Sequence, residues 1–273
     1  MSDCGKKIRL RRILGKPDRR ALIVAFDHAL VLGPISGTED PLGQIRRFSQ
    51  AEVDALLLNL GLIRQLAKSP LGMPLPALIA RIDWTNLWTV LRDGGKGELH
   101  SKLLARPEDA LRHGADAVLT YMVVGTGDAE FEAKEIRRTA EVARECERVG
   151  MPLIVESLAR GKLVEDPAHS KWLNLHTRMA AELGADAVKT DYTGDPDSMR
   201  SVVEGCPIPI LVLGGSRHAS DEQALAVVRG AVQAGAAGVF FGRSVFQAEN
   251  MHSFLQQARA ILDGKRTQHP ASE

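Results

Sequence analysis

Eight short apolar runs recur along the chain, and segments with helical periodicity separate most of them. The clearest helical segments are 129–149, 169–183 and 220–234. A short run without polar alternation is typical of a parallel strand covered by helices on both faces. Eight such strands alternating with helices predict an α/β fold, a TIM (β/α)8 barrel. The predicted strands are 21–26, 53–59, 76–81, 116–123, 152–157, 186–190, 208–213 and 237–241.

A recurring joint between helix and strand supports this alternation. It reads Gly-Ala-Asp-Ala-Val at 114–118 and again at 184–188, with looser versions at 51–55, 150–154 and 235–239. Glycine fits the left-handed position that closes a helix, and the apolar residues that follow begin the next strand. A doubly wound open sheet is the alternative. Against it, no G-x-G-x-x-G follows the first strand, and the Gly-Thr-Gly at 125–127 follows the fourth strand without a third glycine.

The sequence offers no linker rich in proline or serine, so we expect a single domain over 1–273. We expect residues 1–20 to form a basic helical extension, since 6–20 contain eight basic residues and one acidic residue. We expect its apolar residues Ile8, Leu10, Ile13 and Leu14 to dock on the barrel or on a second subunit of a homo-oligomer; a nucleic-acid arm is the alternative. The loop region 83–107 is a candidate lid or interface, and the tail 264–273 is expected to fray.

Composition excludes several classes of function. The chain has 35 basic and 34 acidic residues, which gives no global field for nucleic acid or an acidic membrane. Apolar runs of about nine residues are too short to span a bilayer. Only 4% of residues are aromatic, which argues against a protein that stacks the bases of single-stranded nucleic acid. The three cysteines are scattered, which predicts a reducing, cytoplasmic setting. No metal site is expected, because His113, His169, His176 and His218 lack ligand spacing and are interpreted as surface residues.

The repeated joint makes Lys189 conspicuous, because it stands where the sister strand has Leu119. Burying a charged lysine lowers the stability of the fold by roughly several kcal/mol, unless the amine is paired or deprotonated. A desolvated lysine of lowered pKa is the nucleophile that forms Schiff bases with carbonyl substrates. The alternative is a structural lysine held by a barrel carboxylate such as Asp27 or Glu156.

Two further strand ends indicate a phosphate site. The seventh predicted strand ends at Gly214, Gly215 and Ser216, and the eighth at Gly242 and Arg243. Glycines expose backbone N–H groups to an anion, and the loops after strands seven and eight form the recurrent phosphate site of TIM barrels. Arginine adds a bidentate contact. Simple turn glycines are the alternative interpretation.

The first and fifth strand ends carry further candidates. Asp27 follows the first strand, where a carboxylate faces the barrel mouth and can handle protons or hold a hydroxyl; its neighbour His28 is either catalytic or a cap. At the fifth strand, Glu156 and Arg160 place a carboxylate and a guanidinium at the rim. An ion pair between these two side chains is the alternative to substrate binding.

Taken together, these motifs resemble the DeoC/FbaB/LacD class I aldolase family, in particular the archaeal-type fructose-bisphosphate aldolases and their relatives. The resemblance covers about residues 8–260. The motifs that carry it are Asp27-His28 with Gly33-Pro34, Gly-Thr-Gly at 125–127, Val-Lys-Thr at 188–190, Tyr-Thr-Gly-Asp at 192–195, Gly214-Gly215 and Gly-Arg-Ser-Val-Phe-Gln at 242–247.

The resemblance implies Schiff-base chemistry without metal or cofactor on a phosphorylated, sugar-like substrate. Lys189 would be the Schiff-base lysine, and Asp27 would assist proton transfer and orient the substrate. Gly215, Gly242 and Arg243 would hold the phosphate.

One departure from the family pattern concerns the proton donor. The aldolases carry a tyrosine in the fifth-strand motif where this chain has Leu158, which cannot donate a proton. Tyr192, Tyr121, His28 or a water would have to replace it. The first hypothesis is therefore a lyase that breaks or forms a C–C bond in a phosphorylated ketose or similar carbonyl compound. A related acyl- or aldol-transferring enzyme and a non-catalytic sugar-phosphate-binding barrel are the alternatives.

Overall fold

The computed structural model describes residues 3–15, 19–68, 74–94, 97–215 and 220–264. Its strands are β1 (Ala21–Ala25), β2 (Ala55–Asn59), β3 (Ala77–Arg81), β4 (Asp83–Thr85), β5 (Ser101–Leu103), β6 (Ala117–Val124), β7 (Leu153–Ala159), β8 (Ala187–Thr190), β9 (Ile210–Leu213) and β10 (Gly238–Phe241). Its helices are α1 (Asp3–Leu14), α2 (Ala29–Leu32), α3 (Pro41–Ser49), α4 (Leu60–Leu66), α5 (Leu87–Arg92), α6 (Pro107–Arg112), α7 (Ala129–Val149), α8 (Ser170–Glu182), α9 (Pro196–Gly205), α10 (Asp221–Ala234), α11 (Arg243–Phe246) and α12 (Met251–Leu262). No helix in these ranges is long and apolar enough to cross a membrane.

Eight of the strands pair in parallel and close into a barrel, in the order β1-β10-β9-β8-β7-β6-β3-β2. Each of the eight predicted strands coincides with one of them, which confirms the TIM barrel. The helix predicted at 129–149 is α7 itself, and α8 and α10 lie within the other two predicted helices. The predicted tail beyond Gly264 lies outside the described residues.

The two faces of the barrel strands bury different partners. One set of alternating residues, including Ile23, Ile79, Leu119 and Ile154, packs inside the barrel, and the other set packs under the helices. Because successive strand residues point to opposite faces, the inward residue two positions after Ile79 is Arg81. The same step leads from Leu119, Ile154 and Ala187 to Tyr121, Glu156 and Lys189. The carboxyl end of the barrel is therefore polar where the layer below is apolar.

The recurring joints also tie the amino-terminal end of the barrel together. Gly114 and Gly184 end their helices with φ of 81° and 99°, in the left-handed region that glycine adopts without strain. The aspartate two residues later then accepts a hydrogen bond from the backbone of the preceding barrel strand. Asp116 Oδ2 accepts from the Leu78 N–H at 3.1 Å, and Asp186 Oδ2 from the Leu153 N–H at 2.8 Å.

The basic extension docks on the barrel's own carboxylates. Lys6 Nζ lies 2.7 Å from Glu147 and 3.0 Å from Asp186, and Arg12 Nη1 lies 2.8 Å from Asp116. Ile13 is fully buried at the amino-terminal ends of the barrel strands, as expected for a docking helix. Ile8 is 54% exposed and does not dock on the barrel of its own chain, so its docking on a second subunit stays a prediction. These contacts favour docking over a nucleic-acid arm.

The insertion predicted as a lid or interface covers the barrel mouth. Strands β4 and β5 form an antiparallel pair, and α5 lies between them in sequence. Trp88 and Arg92 of α5 both line the cavity at the carboxyl ends of the barrel strands. The insertion thus forms part of the wall of the candidate site.

The surface position expected for His176 was wrong, since this residue of α8 is fully buried. It lies on the same helix face as Leu173, Thr177 and Ala180, at the spacing of an apolar stripe. Neither ring nitrogen has a hydrogen-bond partner. Burial, followed by the charge of Arg160, lowers the pKa of His176 from 6.5 to about 3, so the folded protein holds this ring neutral.

His176 therefore predicts a loss of stability in mild acid. The unfolded chain takes up a proton on this ring below its ordinary pKa of 6.5, whereas the folded chain does so only near 3, so stability falls as pH falls between these values. From pH 7 to pH 5 the wild type should lose about 2 kcal/mol more free energy of unfolding than His176→Phe. Urea denaturation at both pH values measures this. His252→Phe, at an exposed histidine, is the control and should keep the wild-type pH dependence; equal losses in all three proteins would contradict the prediction.

Candidate active site

A cavity of about 280 Å³ opens at the carboxyl ends of the barrel strands. Most of the predicted site residues line it together: Asp27, His28, Glu156, Lys189, Gly214, Gly215, Gly242 and Arg243. Arg81, Tyr121, Trp88 and Arg92 also line it, although the sequence analysis assigned no site role to Arg81, Trp88 or Arg92. Ser216 lies outside the described residues.

Lys189 occupies the inward face of β8 near the cavity floor. Its side chain is 7% exposed, and its Nζ lies 2.8 Å from Glu156 Oε1. This contact follows from the sheet, because Glu156 on β7 is the direct register partner of Lys189 on β8. The ring centroid of Phe240 lies 4.7 Å from the same Nζ. A barrel carboxylate, Glu156, therefore does hold Lys189, as the alternative interpretation expected. The amine nevertheless lies in the cavity.

Arg81 connects the carboxylates of the site. Its Nε lies 2.5 Å from Asp27 Oδ2, its Nη1 lies 3.3 Å from Asp83 Oδ1, and its Nη2 is bonded to Glu156. The arginine side chain is only 1% exposed, so the network is shielded from water. A buried guanidinium is tolerated where several carboxylates satisfy its donors. Arg81 therefore orients Asp27 and Glu156 from one side while Lys189 pairs with Glu156 from another.

The electrostatics keep both central carboxylates ionised. Burial alone would raise the pKa of Asp27, but the charges of Arg81, His28 and Lys189 outweigh it and lower the pKa to about 2. Burial also opposes ionisation of Glu156, and the charges of Lys189 and Arg81 again hold its pKa below the ordinary value. At neutral pH these two residues are therefore hydrogen-bond acceptors and poor proton donors.

The phosphate candidates lie at the ends of the two strands that follow β8 around the barrel. Gly214 and Gly215 follow β9, and Gly242 and Arg243 follow β10. Arg243 Nη2 donates to the Gly215 carbonyl at 3.0 Å, which places the guanidinium over the glycine loop. Within the described ranges Arg243 has no carboxylate partner in an ion pair, and burial lowers its pKa. Such a cation is suited to an incoming anion.

The sequence profile of the DeoC/LacD family aldolases matches residues 21–248, which span the whole barrel and every strand end described above. The chain belongs to the DeoC/LacD aldolase family. It is 35% identical over 265 residues to the uncharacterized aldolase SSO3226 of Saccharolobus solfataricus, covering 94% of each chain. It is also 35% identical over 247 residues to the 2-amino-3,7-dideoxy-D-threo-hept-6-ulosonate synthase of Halobacterium salinarum, covering 90% of this chain and 87% of that protein. The crystal structure of an archaeal fructose 1,6-bisphosphate aldolase superposes with a TM-score of 0.81 at 27% identity, over 95% of this chain and 99% of that chain.

His28 lies at the mouth of this DeoC/LacD-type site, against the phosphate candidates. Its Nδ1 is 3.7 Å from Asp27 Oδ1, and its ring packs edge-on against Phe246. A side chain at Gly242 would collide with the imidazole, so glycine is required there for the close approach of the two strand ends. Burial lowers the pKa of His28 more than the charge of Asp27 raises it, which favours the neutral ring.

Two predicted residues of this aldolase-family site lie outside the cavity. Tyr192 does not line the cavity and packs closely on Gly230 of α10, where the missing Cβ leaves room for the phenol. Arg160 forms a bidentate ion pair with Asp191, at 2.8 and 2.9 Å. The alternative of an ion pair between Arg160 and Glu156 was therefore wrong, because each has other partners.

Leu158 is the position at which the family's aldolases are expected to carry the tyrosine. It is fully buried and faces the same side of β7 as Glu156. Leu158 packs in an apolar cluster with Leu87, Tyr121 and Phe131, under the insertion. This position thus contributes packing, and the phenol nearest to it in the cluster belongs to Tyr121.

Among the described residues, no group of three or more histidine, cysteine, aspartate or glutamate side chains could hold a metal ion. The acidic residues at the cavity already have cationic partners. Lys189 and Arg81 both form ion pairs with Glu156, and Arg81 also forms one with Asp27.

Proposed function

We propose that the protein is a Schiff-base-forming lyase that breaks or forms a C–C bond in a phosphorylated ketose or a similar carbonyl compound. The observation that carries the proposal is the placement of Lys189, buried in a cavity that Arg243 and the glycine loop also line. A substrate that carries both a carbonyl and a phosphate matches this combination of an amine and an anion-binding loop. Membership of the DeoC/LacD aldolase family supports the same reaction class.

The reaction begins when the ammonium of Lys189 releases one proton to water and its Nζ attacks the substrate carbonyl, after which a second proton moves from the nitrogen to the carbonyl oxygen. The carbinolamine that forms loses water and becomes an iminium, which accepts electrons from the adjacent C–C bond. Asp27, ionised and held by Arg81, accepts a hydrogen bond from a substrate hydroxyl and orients it. Glu156 stays charged and stabilises the positive charge on the nitrogen of Lys189, both in the ammonium before attack and in the iminium.

Borohydride trapping tests this proposal. The wild-type protein is incubated with a panel of phosphorylated ketoses and aldehydes, beginning with dihydroxyacetone phosphate, and then reduced. Intact mass should show one covalent adduct per chain, because borohydride reduces an iminium to a stable amine. A barrel that only binds sugar phosphates forms no reducible adduct, and the absence of an adduct with every compound of the panel would overturn the proposal.

The phosphate contact makes a separate prediction. Arg243→Ala should weaken transition-state binding of a phosphorylated substrate by about 1.5–3 kcal/mol, since a charge-assisted contact is lost. The unphosphorylated analogue serves as the matched control and should lose little. Steady-state kcat/KM for both compounds in both proteins gives the comparison. If the two substrates lose equally, Arg243 does not hold a phosphate.

A further inference from the structure

We propose that Tyr121 is the acid–base residue of the site, and that it carries protons to and from the reacting oxygen in place of the tyrosine absent at Leu158. The inference rests on the proposed Schiff-base reaction at Lys189. It concerns the proton that leaves or enters during formation of the iminium and during the C–C step.

The first support is register. Tyr121 on β6 pairs with Glu156 on β7, and Glu156 pairs with Lys189 on β8. Three neighbouring parallel strands thus present their side chains in one layer on the inward face. All three line the same cavity, where Tyr121 is 5% exposed. The other tyrosine, Tyr192, lies outside this cavity and packs on α10.

The second support is the surroundings of the phenol. Trp88 Nε1 donates a hydrogen bond to Tyr121 Oη at 3.2 Å. Because the indole can only donate, the phenol oxygen accepts this bond and keeps its own proton for another acceptor. The guanidinium carbon of Arg81 lies 3.8 Å from the ring centroid. Both contacts stabilise a phenolate, which is the species that remains after the proton has been given away.

The third support is the way in which the backbone of Tyr121 is fixed. Strand β3 pairs with β6 only up to Leu119, so Tyr121 has no strand partner on that side. Two charged side chains, one of them fully buried, replace the missing strand. The N–H of Tyr121 donates to Asp83 Oδ2 at 2.8 Å, and its carbonyl accepts from Arg138 Nη2 at 2.8 Å. Charged side chains thus hold the backbone N–H and the backbone carbonyl of Tyr121, which restricts where its phenol can lie.

The proton balance follows from the resting state. Burial raises the pKa of Tyr121 well above its ordinary value, against the opposing charge of Arg81, so the phenol starts protonated. It gives its proton to the carbinolamine hydroxyl, the C–O bond breaks, and water leaves as the lysine nitrogen forms the iminium. The phenolate then takes the proton of the substrate hydroxyl next to the breaking C–C bond. That bond's electrons pass to the iminium, the carbonyl product leaves, and Tyr121 is protonated again.

Timed borohydride quenching with dihydroxyacetone phosphate tests the assignment. Intact mass at each time gives the rate of formation of the reducible adduct. Tyr121→Phe keeps the ring on Arg81 but removes the hydroxyl, and it should form the adduct about 10²–10⁴-fold more slowly than the wild type. Binding of inorganic phosphate, measured by calorimetry, should be unchanged. Tyr192→Phe, which removes a phenol outside the cavity, should form the adduct at the wild-type rate.

A second variant keeps the assignment testable if Tyr121→Phe fails to fold. Trp88→Phe retains the Tyr121 hydroxyl but removes its N–H partner, and should slow adduct formation about tenfold. If Tyr121→Phe does not fold, a wild-type rate in Trp88→Phe would overturn the role of Tyr121 and leave the Schiff base standing. If Tyr121→Phe folds, a wild-type rate in that variant would overturn the role by itself. No adduct in the wild type with any compound of the panel would instead overturn the proposed function, and the role of Tyr121 with it.

Discussion

Replacing Arg81 with leucine is expected to lower the free energy of unfolding by about 3–5 kcal/mol, the usual cost of breaking a buried ion pair by removing one partner. The guanidinium contacts Asp27, Asp83 and Glu156, and its side chain is 1% exposed. Without it, Asp27 and Asp83 lose their contacts with this guanidinium, and burial would drive their pKa values upward. Urea denaturation at pH 7 measures the loss.

Arg243→Leu is the matched control for this prediction. Arg243 lines the same cavity, yet the described residues offer it no carboxylate partner in an ion pair. We expect its removal to change the free energy of unfolding by less than about 1 kcal/mol. Similar losses in both variants would mean that the network around Arg81 does not have the stabilising role assigned to it.

The ion pair between Asp27 and Arg81 makes the free energy of unfolding depend on pH in a definite direction. The pKa of Asp27 is lowered from 3.8 to about 2 in the folded protein, so its pairing stabilises the fold above 3.8. This stabilisation is lost as the pH falls through 2. Arg81→Leu should therefore lack this part of the wild-type acid transition between pH 4 and pH 2, which pH-dependent unfolding would detect.

Lys189→Met is expected to abolish every reducible adduct while leaving the protein folded. Methionine fills a similar volume without an amine, so the nucleophile is lost and the packing is kept. Glu156 retains its bond to Arg81, so no carboxylate is left without a cationic partner. Intact mass after borohydride treatment gives the first result, and circular dichroism gives the second. Lys134→Met, at an exposed lysine of α7, is the control and should trap substrate like the wild type. A folded Lys189→Met protein that still traps substrate would exclude Lys189 as the nucleophile.

Much of the barrel was predictable, because strand burial and helix closure are local properties of the sequence. The apolar runs located the eight strands, and the period of two also determines that Arg81 and Tyr121 face inward. Arg81 lies two residues after Ile79 at the end of a predicted strand. A search for charged residues at the inward carboxyl end of each strand would have found it. The same rule identifies Glu156 and Lys189.

The parts that were not predictable depend on contacts between distant segments. Trp88 belongs to an insertion whose path over the mouth is set by tertiary packing. The direction of Tyr192 depends on the space left by Gly230, which is 38 positions further along the chain. Arg160 pairs with Asp191 because the ends of β7 and β8 are adjacent in the barrel. Proximity in sequence favoured Glu156 as its partner and was misleading.

The proposed function depends on a covalent bond between the amine of Lys189 and a phosphorylated carbonyl compound. Peptide mapping of the borohydride-reduced wild-type protein by tandem mass spectrometry tests it most directly, with dihydroxyacetone phosphate as the probe. We expect the added mass on the peptide that contains Lys189, and fragment ions that assign it to that side chain. Added mass on any other lysine, with Lys189 unmodified, would contradict the account.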